Sequence, residues 1–212
     1  MAPSSQIIEL RKILAERFPQ QTVNPHLLTP TGWPPLDSLL GGGLPRGSIT
    51  QLIVPQISAG GATVLHEIIE TMHELSHSVA LIDGKNSFEP SADYPLLLWI
   101  RCQNAAQALK ATDLVLRDTN LPFSVLDLKQ NPDAELRKIP GTTWYRFQRI
   151  IEENNSTLLT ITRHPIVSSA QINILMMCQI ELDDLTLFRP EIIQFFSFEV
   201  VRRRCLMECQ YA

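Results

Sequence analysis

A chain of 212 residues with 44% hydrophobic and 19% charged side chains has the balance of one globular α/β domain, which buries roughly 70% of its unfolded surface. No apolar run reaches the ~20 residues that span a bilayer, and Met1 to Ser5 run straight into an amphipathic segment, so neither a membrane span nor a secretory leader is expected. A net charge of −4 with a pI near 5.7 argues against a globally basic nucleic-acid footprint and leaves only a local basic stripe for that role.

The first segment, Ser5 to Phe18, carries Ile7, Leu10, Ile13 or Leu14, and Phe18 at helical spacing, with Arg11, Lys12, Glu16 and Arg17 opposite. Pro19 ends it, and the polar, proline-bearing stretch that follows predicts a tether. The division expected is therefore 1–28 for a helix and tether and 29–212 for a core domain. The helix can pack on its own domain or dock on a second subunit or a partner.

Strands are predicted over Ile49–Val54, Ser78–Asp83, Leu96–Cys102, Phe123–Leu128 and Leu158–Thr162. Helices are predicted over Thr63–His77, Ala105–Asp118 and Thr142–Asn154, the last opening after Pro140-Gly141. This alternation predicts a mostly parallel sheet with helices on both faces. The tail from Gln171 to Arg204 reads as two or three further strands, an antiparallel edge to the sheet. Cys102, Cys178, Cys205 and Cys209 are few and scattered, which predicts reduced thiols in a cytoplasmic setting. Cys205 and Cys209 have no second pair to complete a zinc site.

The most specific stretch is Gly32-Trp33-Pro34-Pro35-Leu36-Asp37-Ser38-Leu39-Leu40-Gly41-Gly42-Gly43-Leu44-Pro45-Arg46-Gly47-Ser48-Ile49-Thr50. It resembles the lead-in to the phosphate loop of RecA-family ATPases, and the likeness extends over roughly Thr29 to Thr162. In that family a strand follows, then G-x-x-x-x-G-K-S/T. Here the strand is followed by Val54-Pro55-Gln56-Ile57-Ser58-Ala59-Gly60-Gly61-Ala62-Thr63, which contains no lysine. Aligned without a gap the lysine position is Gly60, and with one inserted residue it is Gly61. The first glycine of the motif is Val54, and Thr63 sits past the place of the magnesium-binding hydroxyl. Loops of this type hold phosphates through successive N–H groups at a helix start, while the lysine neutralises the β- and γ-phosphates. Ser58, Gly60 and Gly61 keep a permissive turn without that cation.

A second position agrees. The family strand reading I-D-x-E-x-x-F-x-P is matched by Ile82-Asp83-Gly84-Lys85-Asn86-Ser87-Phe88-Glu89-Pro90, with Lys85 where the water-activating glutamate belongs. A protonated ammonium accepts no proton from water. A Walker-B-like strand, Phe123 to Asp127, ends in an aspartate. Function in open α/β sheets gathers at the strand carboxyl ends, so Asp83, Lys85 and Asp127 are expected to line one cleft.

Two other patterns compete for a role. His73-Glu74-Leu75-Ser76-His77 spells H-E-x-x-H, the zinc-hydrolase pattern when both histidines share a helix face and a third ligand is supplied. Here it lies where helix gives way to strand, and only Glu89 and Asp93 are near as further ligands. Glu135 to Arg149 interleaves basic and aromatic residues, a pattern suited to single-stranded DNA. Trp144, Phe147 and Ile151 form the core face of that helix. Arg137, Lys138, Tyr145, Arg146 and Arg149 remain as surface contacts, and Arg202, Arg203 and Arg204 form a second basic run.

Among shortened RecA-like chains with degraded phosphate loops, this one is similar to ImuA-type proteins and the related SulA. Leu98-Trp99-Ile100-Arg101-Cys102, Ala105-Ala106-Gln107-Ala108-Leu109 and Trp144-Tyr145-Arg146-Phe147-Gln148 lean to the ImuA side. The resemblance implies a RecA-like P-loop NTPase core without ATP hydrolysis and without a required cofactor. It implies an accessory role in damage-induced mutagenesis beside a Y-family polymerase relative and an error-prone C-family polymerase. The SulA side implies instead an inhibitor of cell division acting by protein binding.

Overall fold

The computed structural model describes residues 28–56, 60–90, 92–178, 189–192 and 195–203. The expected N-terminal helix and tether, except Leu28, lie outside the described residues, as do Ser58, Arg204, Cys205 and Cys209.

The chain enters through a two-residue strand β1 (Leu28–Thr29), helix α1 (Pro34–Leu40) and strand β2 (Leu44–Pro45), with β1 and β2 paired antiparallel. Then follow β3 (Ser48–Ile53), α2 (Gly61–Glu74), β4 (Val79–Asp83), β5 (Leu97–Arg101) and α3 (Ala105–Leu116). The second half comprises β6 (Phe123–Asp127), α4 (Asp133–Leu136), α5 (Gly141–Asn154), β7 (Thr157–Thr162), β8 (Ile172–Cys178), α6 (Arg189–Ile192) and β9 (Phe196–Arg203).

Seven strands form one sheet in the order β5-β4-β6-β7-β3-β8-β9, parallel throughout except for the last pair. β3, β4, β6 and β7 are buried at every residue, as near-continuous apolar strands must be when helices cover both faces. One face packs Leu52, Val54, Leu81, Val125, Ile161 and Ile174 against Leu36 and Leu40 of α1 and against Val64, Ile68 and Met72 of α2. The other packs Ile49, Ala80, Ile82, Leu126 and Leu158 against Ala108 and Val115 of α3 and Trp144, Phe147 and Ile151 of α5.

The mostly parallel sheet, the two helical layers and an antiparallel edge are as the alternation predicts. Two boundaries differ. The tail is not antiparallel as a whole: β8 runs parallel beside β3, and only β9 turns back. The buried Gln51 secures the short connection into β8, donating to Thr162 Oγ1 (2.7 Å) and the His164 carbonyl (2.9 Å) and accepting from the Val167 N–H (3.3 Å). α2 stops at Glu74, short of the predicted His77, because Ser76 takes a left-handed φ of 57° and the His77 N–H turns back to the Met72 carbonyl.

Candidate functional site

The lead-in is built as a rigid corner. The Asp37 carboxylate accepts from the Thr31 N–H (2.9 Å), the Thr31 hydroxyl (2.7 Å) and the Gly32 N–H (3.2 Å), which folds the chain back before α1. Gly32 has φ +80°, and a Cβ there would run into the Thr71 hydroxyl of α2. Trp33 is fully buried, its ring 4.9 Å from Phe196. The lead-in therefore locks α1 and α2 together on one face of the sheet.

At the carboxyl end of β3, Val54 is fully buried in the core where the motif has its first glycine. Gly60 caps α2 in a left-handed conformation with no side-chain capping bond, and the first turn of α2 carries no acid. A side chain at Gly60 would meet the Phe196 ring, so an aromatic from β9 occupies that flank of the loop. Thr63 is half-buried in the first turn. The vacant lysine slot has a neighbour that sequence reasoning missed. Lys129 is only 5% exposed, and its Nζ lies 3.1 Å from the position a Cβ on Gly61 would take. It lies in the turn that follows β6, two residues past Asp127.

Asp83 and Asp127 are register partners on neighbouring strands, 1% and 5% exposed. Asp83 is occupied by its own turn, accepting from the N–H groups of Lys85 (3.2 Å), Ser87 (3.0 Å) and Phe88 (2.8 Å). Asp127 accepts from the Lys129 N–H at 2.9 Å. Burial pushes its carboxyl above the usual range; the Lys129 charge and N–H oppose this, and the nearby Asp83 charge adds to it. Lys85 is exposed and donates from Nζ to the Gln103 carbonyl at 3.1 Å, ahead of α3. The strand ends thus bring together Asp83, Asp127, Lys129 and the start of α2, while the Lys85 ammonium is engaged at the β5–α3 loop.

In the basic and aromatic segment, Trp144, Phe147 and Ile151 are core residues and Tyr145 is 55% exposed. Arg137 and Lys138 are exposed in the turn after α4. Arg146 pairs with Asp113 at 3.0 Å and lies over the Phe147 ring, and Arg149 pairs with Glu153 at 3.2 Å. Acids thus accompany the cations on this surface. Arg202 and Arg203 are exposed on β9. Arg163, unremarked in the sequence, joins the β7 end to the turn before α4 by donating to the Asn131 carbonyl (3.2 Å) and Asp133 (2.7 Å).

The H-E-x-x-H reading is corrected by the end of α2. His73 lies in its last turn and His77 beyond the left-handed Ser76, so the two do not stand on successive turns of one helix. Both border a shallow depression with Ile69, Tyr94 and Leu96, beside the start of β4 and β5 and away from the aspartates. Among the described residues no group of three or more His, Cys, Asp or Glu is gathered for a metal. Cys102 and Cys178 are not joined in a disulfide.

The RadB recombinase crystal structure superposes with a TM-score of 0.57 at 16% identity, over 71% of this chain and 84% of that one. The fold is RecA-like. Sequence similarity points the same way: RecA of Saccharopolyspora erythraea is 31% identical over 118 residues, 52% of this chain and 34% of that protein. RecA of Mycobacterium leprae is 30% identical over 141 residues, 62% of this chain and 20% of that one. The chain thus spans about a third or less of these relatives. No family model matches it. No helix among the described residues is long and apolar enough to cross a membrane.

Proposed function

We propose that this chain is a RecA-like accessory protein of the DNA-damage response that does not hydrolyse ATP and acts by holding partners. The observation that carries the reading is the paired change at the two catalytic positions. Residues 54–63 hold no lysine, and Lys85 stands at the glutamate position with its ammonium bound to a backbone carbonyl. Without a general base the attacking water is not activated, and without the loop lysine the charge developing on the phosphates loses its nearest compensation. Phe196 packed on Gly60 and the capture of Asp83 by its own turn support the same reading, since both use former site geometry for packing.

The similarity to RecA proteins and the recombinase fold support a place in DNA repair, and the ImuA-type resemblance narrows it to translesion mutagenesis. The partners are then a Y-family polymerase relative and an error-prone C-family polymerase, with single-stranded DNA as a further ligand along Arg137, Lys138 and Tyr145. Self-association through the N-terminal segment belongs to the same proposal. Co-purification with a tagged Y-family polymerase relative from the same genome tests it. A stable complex that survives removal of nucleotide is expected. A chain that elutes alone, yet turns over ATP on single-stranded DNA, overturns the reading.

A further inference from the structure

One face of the sheet is covered by α3 and α5, with α5 over β3 and α3 over β4 and β6. β8 and β9 are packed from the opposite face, where Ile174, Met176, Phe196, Phe198 and Val200 join the core that holds Trp33. Strand alternation therefore turns Asn173, Leu175, Met177, Ser197 and Glu199 to the α5 side. There Leu175 is half-buried, Met177 is 43% exposed and Val201, beside them, 56% exposed. None of the three belongs to either core described above. Apolar side chains on an uncovered part of a sheet face gain by being covered.

A bulge decides which charges accompany them. Ile174 pairs with Val200 and Asn173 with Arg202, so Val201 is the extra residue of β9. Glu199 pairs with Leu175, which shares its face of β8 with Asn173, so Glu199 and Arg202 stand on one face although they are three residues apart. Both are exposed, and among the described residues neither is in an ion pair. The same bulge, with Arg202 and Arg203, blunts the outer edge of β9 against strand addition. The face, not the edge, is the surface a partner can cover.

We propose that this face binds a second copy of the chain, the two β8–β9 faces packing about a two-fold axis with Glu199 of each against Arg202 of the other. A two-fold contact brings a surface onto itself, so it needs apolar side chains near the axis and opposite charges on either side of it. With the axis crossing β9 at Val200 and Val201, Glu199 and Arg202 flank it, Leu175 and Val201 lie nearest to it, and Met177 lies toward the rim. The exposed apolar area is that of a few side chains, so the dimer is a weak one, with a dissociation constant on the order of micromolar or above. The surface is separate from the strand ends that bear Asp83 and Asp127, and the proposal stands whether or not the chain turns over ATP.

Sedimentation velocity of the full chain over a concentration series tests the contact. A monomer–dimer equilibrium that weakens with salt is expected. Glu199→Arg and Arg202→Glu, each at an exposed position, should raise the dissociation constant about tenfold or more, because each sets like charges opposite one another twice. Mixing the two single variants should restore association, since every contact is then between opposite charges. The double variant that exchanges the two charges should restore it within one chain. Val201→Gln should weaken the dimer several-fold without lowering the melting temperature. A chain that stays monomeric overturns the proposal. So does a dimer indifferent to all these variants, which assigns self-association to the N-terminal segment, and so does a loss that the mixture does not restore. A lowered melting temperature in Val201→Gln with unchanged association assigns the cover to the chain's own segments, and overturns it as well.

Discussion

Two stretches on either side of β3 have kept different things. Thr29 to Gly47 keeps the residues of a RecA lead-in, and the structure gives them mechanical duties: Asp37 folds the corner, Gly32 lets Thr71 approach, and Trp33 anchors β9 through Phe196. Val54 to Thr63 has no lysine, and among its described residues Val54 lies in the core, Gly60 caps the start of α2 and Phe196 packs against Gly60. A lead-in that packs is constrained by sterics whether or not ATP is used. The chemistry of the loop is constrained only by catalysis. The more family-specific stretch therefore reports the fold, and the loop is where the proposed loss of ATP hydrolysis is open to test.

Substitutions can break this comparison, beginning with the corner. Gly32→Ala meets both a left-handed φ and the Thr71 hydroxyl, and is expected to cost about 3 kcal/mol or more in urea denaturation. A cost near that of an ordinary surface change would remove the mechanical account of the lead-in. On the loop side, Gly60→Ala is expected to cost roughly 1–3 kcal/mol. Because its clash is with the Phe196 ring, the double variant with Phe196→Ala should cost less than the sum of the two singles. Strict additivity would show that Phe196 does not press on the loop.

The aspartate gives a smaller effect with a pH signature. Its carboxyl is held above the unfolded range, so the native state binds the proton more tightly than the unfolded chain. The stability this gives is complete below the unfolded value, about pH 3.9, and is lost as pH rises through the native one. Asp127→Asn should therefore stabilise at pH 7 to 8, on the order of 1 kcal/mol, with the gain vanishing toward pH 3. A gain independent of pH would assign it to packing. Smallest of all is Lys85→Glu, which restores the family residue at an exposed position. Stability should change by about 0.5 kcal/mol or less, and no ATP turnover should appear.

Much of the fold was legible because it is local. The apolar runs Ile49–Val54, Ser78–Asp83 and Leu158–Thr162 declare buried strands to within a residue at either end, and Trp144, Phe147 and Ile151 declare a core face. The direction of β8 was not, since a strand's residues carry the same pattern whichever way its neighbour runs. The site was legible in what it lacks and opaque in what replaces it. Lys129 and Phe196 reach the loop only through tertiary packing, and no spacing within residues 54–63 points to them. The H-E-x-x-H pattern misled for the opposite reason: the spacing is local and correct, but Ser76 turns the chain between the two histidines.

The most direct measurement is ATP turnover by the purified protein with magnesium, with and without single-stranded DNA. The account predicts phosphate release at the level of a protein-free blank in both conditions. DNA-stimulated release that Lys129→Met abolishes would contradict it, and would make Lys129 a working substitute for the missing loop lysine.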